Sequence, residues 1–256
     1  MDKDHIIQSV DRALQIIEAF ESGEKELSLS QIARELNLNK STVFGLVNTL
    51  KNREYLEQNP ENARYRLGIK FFQLGSIVEI NMDIRDAAKP FLKLLSDKYK
   101  ETVHLCLYVH NEAIYIDKVD GLGSMRMYSQ LGKSAPLHCT GVGKAILAYL
   151  DERTIAKIIN NQTFKAFTPN TITTPDALRT ELTKIHQKGY SIDEEEIEIG
   201  LRCVAAPIFN RKGEVAGAVS VAGLAARLPE DVVQNIVEDV LKVSSLISER
   251  LGYSKN

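Results

Sequence analysis

Tryptophan is absent from this chain of 256 residues, and cysteine occurs only three times. Cys106, Cys139 and Cys203 are far apart and odd in number, with no Cys-x-x-Cys pair and no zinc-finger spacing. That pattern excludes a disulfide-stapled secreted scaffold and points to a reduced, cytoplasmic protein. Long apolar runs are missing as well. None approaches the roughly eighteen residues of a membrane span, and the opening MDKDHIIQSVDR lacks an apolar core of signal-peptide length, so no membrane association is expected. An excess of one charge is also missing, since 32 Lys and Arg face 34 Asp and Glu for a net charge of −2. The chain as a whole therefore has no general attraction for polyanions, and contact with nucleic acid has to come from local clustering. It carries no internal repeat or low-complexity segment, and its length suits a small domain plus a larger one.

Local clustering is present near the start. Residues 34–70 carry seven cations against four acids, whereas residues 1–33 carry three cations against seven acids. The basic stretch overlaps LSQIARELNLNKSTVFGLVNTLKNREYLEQNPENARYR, Leu29 to Arg66, which has the layout of two short helices, a tight polar turn and a small hairpin. Such a pair buries apolar residues at Ile32, Leu36, Leu38, Val43 and Leu46, with small Ala33 at the crossing. At 44% hydrophobic composition this spacing recurs by accident, so the context matters more. Ser30 is placed to cap the first helix, Asn37 to take the left-handed turn, and Ser41 and Thr42 to open the second helix. Before this pair, Ser9 is placed to cap an amphipathic helix, VDRALQIIEAF. After it, YLEQ and RYRL form a hairpin through NPENA, with Pro60 confined to the turn. The whole reads as a winged helix-turn-helix over residues 1–68, followed by a connecting helix over 69–82.

The second helix would then expose Lys40, Ser41, Thr42, Phe44, Gly45, Asn48 and Thr49. Lys40, Ser41 and Thr42 at its start suit phosphate, helped by the helix N-terminus, while Asn48 and Thr49 are placed to read bases. Arg64 and Arg66, two apart in the hairpin, suit backbone or minor groove, although such residues are otherwise ordinary surface charges.

Residues 83–256 form a second domain. A helix with a kink or break at Pro90 precedes strands VHLCLYV and AIYIDKV around HNE, and SMRMYSQL reads as a third strand. Helices follow over 141–150, 152–160 and 175–188. A hairpin then pairs CVAAPIFN with EVAGAVSVAG, and a helix over 229–251 closes the chain. Strands at both ends with helices between them give an α+β domain, an antiparallel sheet covered by helices. The segment PLHCTGVGKA is not a Walker loop, because His138 stands where the first Gly belongs and Ala145 replaces the hydroxyl residue. Its helix start is instead a seat for a carboxylate.

Six segments in order resemble the isocitrate-lyase-regulator (IclR) family of bacterial transcription factors. They are SVDRALQIIEAF, LSLSQIARELNLNKSTVFGLVNTL, ETVHLCLYV with YIDKVDG, PLHCTGVGKAILAYL, GYSIDEEEIEIGLRCVAAPIF and VAGAVSVAG. The resemblance implies a winged helix-turn-helix joined by a linker helix to a GAF-like effector domain, acting without a cofactor or catalysis. It also implies a homodimer or dimer of dimers that binds double-stranded operator DNA, a repressor of a catabolic operon controlled by a small-molecule effector. Gly141, Val142, Asp193, Leu201, Cys203 and Ser220 match effector-lining positions, as does Met127. Two positions depart from the family. Many members carry Arg where this chain has Gly45, and SVSG where it has SVAG, so Ala222 lacks a hydroxyl. Two rival readings are a GAF-type thiol redox protein and a metabolite-binding module without DNA binding. A metal held by Cys139, Asp193 and Cys203 has no support in their spacing.

Overall fold

The computed structural model describes residues 6–80, 83–121, 129–161 and 163–254. The chain forms two compact units, residues 1–81 and 82–256. The first contains α1 (Gln8–Glu18), α2 (Leu29–Glu35), α3 (Lys40–Asn52), β1 (Leu56–Gln58), β2 (Tyr65–Leu67) and α4 (Lys70–Ile80). Its core takes Ile16 and Phe20 from the first helical stretch, Ile32 from α2, Val43, Val47 and Leu50 from α3, and Leu56 and Tyr65 from the antiparallel hairpin. Leu36, Leu38 and Leu46 pack against this core but stay half-buried.

Two caps differ from expectation. Ser28, not Ser30, starts α2: its hydroxyl accepts the Gln31 N–H, and the Gln31 side chain accepts the Ser28 N–H at 2.9 Å. Only Ser28 has a Gln three residues on, which is what a capping box requires. Ser9 lies inside α1, which begins after Ile7 with no side-chain cap. Asn37 takes a left-handed φ of 51° at the turn between α2 and α3, as anticipated. Gly68 ends the hairpin where a Cβ would lie 2.1 Å from the Glu54 carbonyl oxygen, so no side chain fits.

The second unit runs α5 (Asp83–Tyr99), β3 (Thr102–Val109), β4 (Glu112–Val119), β5 (Ser134–Ala135), α6 (Gly141–Leu147), α7 (Glu152–Asn161), α8 (Pro175–Lys188), β6 (Ser191–Glu194), β7 (Leu201–Phe209), β8 (Val215–Leu224) and α9 (Glu230–Arg250). Helix α5 runs through Pro90 unbroken. The proline removes the N–H that would bond the Asp86 carbonyl, and both residues lie on the exposed side of the helix. The β3–β4 turn places His110 and Asn111 at φ 51° and 66°, the two left-handed residues of a tight hairpin. Of the segment SMRMYSQL, Ser129 to Leu131 is irregular, and residues 122–128, Met127 among them, lie outside the described residues.

All pairings in the six-stranded sheet are antiparallel, in the order β5-β4-β3-β8-β7-β6. Alternation along the strands divides the core in two. Val103, Leu105, Val204, Ala206, Ile208, Val219 and Val221 pack with α5 and α9, while Cys106, Ala205 and Ala218 pack with α6, α7 and α8. The sheet is thus buried on both faces in a mixed α+β domain.

Candidate functional site

Alternation also decides which side chains face α6. On the same sheet side as Cys106 and Ala205 lie His104, Cys203, Ser220 and Ala222, and strand register aligns them. Asp193 pairs with Cys203 and Cys203 with Ala222, while Ala205, Ser220 and His104 form the adjacent row. A bulge between Leu105 and Cys106 brings Tyr115 opposite Cys106, which turns the tyrosine to this side. Over these rows sits the start of α6. The result is a small cavity of about 30 Å³ lined by Gly141, Val142, Asp193, Leu201, Cys203, Ser220 and Ala222 together with His104, Tyr115, Ser129, Thr140 and Ile197. All seven described effector-lining expectations therefore meet at one place. Apart from Thr140, which belongs to the helix start read as an anion seat, the last five residues were not anticipated. The parity of His104 with Cys106 was a readable signal, whereas Ser129 and Ile197 lie on irregular chain that no periodicity reports.

Gly141 is where the cavity is tightest: a Cβ there would stand 2.9 Å from Cys203 Sγ. The helix start offers less to an anion than expected. Helix α6 has seven residues rather than ten, Thr140 Oγ1 accepts the Gly143 N–H at 3.1 Å, and the Gly141 N–H faces the Cys203 thiol. The polar side chains are better placed. His104 is buried, with Nε2 2.7 Å from Ser129 Oγ and Nδ1 3.4 Å from Ser220 Oγ. Burial, reinforced by Lys118, pushes its pKa down to about 3, so the ring is neutral and links two hydroxyls.

Asp193 accepts the Glu196 N–H through Oδ1 at 2.8 Å, and burial pushes its carboxyl up to about 7 despite that bond. Beneath it, Lys144 is 1% exposed; its Nζ donates to the Ile192 carbonyl at 2.7 Å and to Glu196 Oε1. Burial raises the Glu196 pKa against the pull of Lys144, and Glu196 Oε2 has no hydrogen-bond partner. One ammonium thus lies against one carboxylate, and the second carboxyl, that of Asp193, titrates around neutrality rather than in the usual carboxylate range. All three cysteines are buried. Burial drives Cys139 and Cys203 up to about 12 and Cys106 well above the ordinary thiol range, which leaves almost no thiolate for redox chemistry. Among the described residues, no group of three His, Cys, Asp or Glu side chains is placed to hold a metal ion.

In the first unit, Lys40, Ser41, Thr42, Phe44, Gly45 and Thr49 are exposed along α3, and Asn48 is half-buried. Asn39 precedes α3 without a side-chain cap, so the first N–H groups have no such partner. Thr49 donates its hydroxyl to the Gly45 carbonyl at 2.9 Å. The two arginines differ from each other. Arg66 is exposed and pairs across the hairpin with Glu57, whereas half-buried Arg64 precedes β2 and donates to Gln31 Oε1 at 2.7 Å, tying the wing to the capping box.

Comparison with known proteins agrees with both halves. Residues 9–60 match the IclR helix-turn-helix domain, and residues 78–249 match the family described as bacterial transcriptional regulator IclR C-terminal. The HTH-type transcriptional regulator XynR of Escherichia coli K12 is 37% identical over 97% of this chain and 98% of its own length. The HTH-type transcriptional repressor AllR of Salmonella typhi is 33% identical over 96% of this chain and 90% of its own. The crystal structure of the Thermotoga maritima IclR superposes with a TM-score of 0.77 at 34% identity, covering 97% of this chain and all of that one. With a family match over most of its length, and relatives aligned nearly end to end, this chain belongs to the IclR family of bacterial transcriptional regulators.

Proposed function

We propose that this protein represses a catabolic operon by binding two half-sites of double-stranded operator DNA as a homodimer or dimer of dimers. A small carboxylate-bearing metabolite, bound in the cavity beneath α6, releases it. What carries the ligand half is the convergence of Asp193, Cys203, Ser220 and His104 on one small space with apolar walls, the mixture that orients a small polar metabolite. At about 30 Å³ the space has room for about one or two waters. A metabolite must therefore displace its walls, and that displacement is the difference between states on which a population shift depends. His104, Ser129 and Ser220 supply the hydrogen bonds to the carboxylate, and Asp193 takes a second polar group. Ala222 opposite Cys203 leaves that corner apolar.

For the DNA half, Lys40, Ser41, Thr42 and the free helix start of α3 meet phosphates, with Gly45, Asn48 and Thr49 towards the bases and Arg64 and Arg66 on the flanking wing. The role is cytoplasmic and non-enzymatic. Its chemistry needs no nucleophile, and among the described residues no helix is long and apolar enough to cross a membrane. Selection from a random DNA pool supplies the operator probe. Lys40→Ala and Arg66→Ala should each reduce the log–log salt slope of binding by about one unit. A metabolite panel screened by thermal shift should yield a hit whose stabilisation disappears in Ser220→Ala. Unchanged slopes in both variants would remove these residues from the DNA interface, and hits indifferent to Ser220 would move the effector elsewhere.

A further inference from the structure

The hairpin of the first unit is fastened at three points to the chain that leads into α2. At its turn, the Glu26 carboxylate accepts Asn59 Nδ2 at 2.9 Å and Asn62 Nδ2 at 2.8 Å. Next, Leu27 and Tyr65 exchange backbone hydrogen bonds, each N–H donating to the other's carbonyl, at 2.9 and 2.8 Å. Finally, Arg64 Nη2 donates to Gln31 Oε1, the same oxygen that accepts the Ser28 N–H at 2.9 Å and the Ser28 hydroxyl at 2.8 Å. The Arg64 backbone is held as well, since its N–H donates to Asn62 Oδ1 at 2.9 Å. Helix α2 in turn shares a core with α3, where Ile32 is buried with Val43, Val47 and Tyr65. The placement of the hairpin is thus tied, through the start of α2, to the helix that carries Lys40 to Thr49.

The two wing arginines are bound on different terms. Arg66 and its partner Glu57 are 54% and 42% exposed at the side chain, and an ion pair so open to water contributes little and exchanges readily for a phosphate. Arg64 is half-buried, and its charge-assisted bond ends on an oxygen already built into a helix cap. Moving its guanidinium to DNA would break that bond and release one of the three fastenings. We propose that Arg64 is a positioning residue for DNA reading, holding the wing against the start of α2 through Gln31, while phosphate contact on the wing falls to Arg66. This inference rests on the first unit reading operator DNA through α3 and the hairpin.

Salt titrations of the full-length protein with an operator selected from a random pool separate the two roles, at a temperature where melts show every variant folded. Arg64→Ala should weaken binding about tenfold, the cost of a lost hydrogen bond to a charged group, with the log–log salt slope unchanged. Gln31→Ala leaves the Arg64 charge in place and frees it to move. It should nevertheless weaken binding to a similar degree, again with the slope unchanged. The double variant should bind about as well as either single one, because both substitutions remove the same fastening. A slope reduced by about one unit in Arg64→Ala would make the residue a phosphate contact and overturn the inference. So would Gln31→Ala binding as tightly as the parent, an outcome that can be read even if Arg64→Ala does not fold, or losses that add in the double variant. Lys40→Ala and Arg66→Ala run alongside as controls. If they lower the slope and Arg64→Ala lowers it too, the positioning role alone is wrong; if neither of them lowers it, the DNA interface itself is misplaced.

Discussion

At the scale of single residues, two buried groups make opposite demands. Lys144 is enclosed with Glu196, and its removal strands a buried carboxylate that already lacks a partner at Oε2. Lys144→Ala should lower stability by about 3–5 kcal/mol, and Lys144→Met combined with Glu196→Leu should recover most of that loss, because an apolar pair strands no charge. Denaturant melts of the three proteins measure the difference; a double variant as unstable as the single one would mean that the ion pair itself is required. Asp193 contributes in the other direction. Its pKa rises from an ordinary 3.8 to about 7 on folding, chiefly through burial. Below pH 4 both folded and unfolded chains hold this proton; between pH 4 and 7 the unfolded chain releases it first, so stability falls as pH rises through that window. Asp193→Asn keeps the oxygen that accepts the Glu196 N–H and removes the titration. Its melting temperature relative to the parent should rise from pH 4 to 7 and level off above. His104 titrates in both proteins and cancels in the comparison, whereas Glu196, coupled to Asp193, is relieved of a neighbouring negative charge in the variant, which adds to the same trend. A gap that does not vary with pH would place Asp193 in an ordinary, solvated setting.

At the scale of elements, Gly45 interrupts the exposed face of α3, and a Cβ built there meets nothing within 4 Å. Gly45→Ala should therefore stabilise the protein by about 1 kcal/mol through helix propensity alone, as read from thermal or denaturant melts. Gly45→Arg should fold equally well and shift the motif recovered from a random DNA pool, since a guanidinium reaching a guanine adds about 1–3 kcal/mol of discrimination. An unaltered motif would place residue 45 away from the bases. Helices of this kind were legible because apolar spacing and end signals coincide: α8 starts at Pro175 and stops before Gly189 as the sequence implies. Caps were read less well, since Ser28 and Ser30 differ only in which has a Gln three residues on. The short strands β5 and β6 were not anticipated at all. Two and four residues long, they gain their definition from neighbours in the sheet and carry no period of their own.

At the scale of the whole molecule, the order of segments named seven of the residues that line the cavity, and the sheet register explains why residues up to about 120 positions apart converge. His104 stands beside Ser220, and Ser220 beside Ala205, across three strands, a closeness that sequence distance conceals. What the chain leaves exposed bears on assembly. Ile7, Val10 and Leu14, at 68%, 54% and 51% exposure, follow one another at intervals of three and four residues. With Ile7 just ahead of α1 and Val10 and Leu14 on it, they form a stripe on one side of the helix, whose other side sends Ile16 into the core. Burying each such side chain is worth about 1.5–3 kcal/mol, and a second copy related by a two-fold axis can cover the stripe with its own. That pairing would also set the distance between two α3 helices on adjacent half-sites. Val10→Glu with Leu14→Glu should leave the melting profile of dilute protein within about 0.5 kcal/mol per site of the parent, since neither side chain contributes to the monomer core. Sedimentation should show weaker self-association, and affinity for a paired operator should fall further than affinity for an isolated half-site. If mass and operator affinity both match the parent, the α1 stripe is not a contact between copies, and the two DNA-reading helices are spaced by other surfaces.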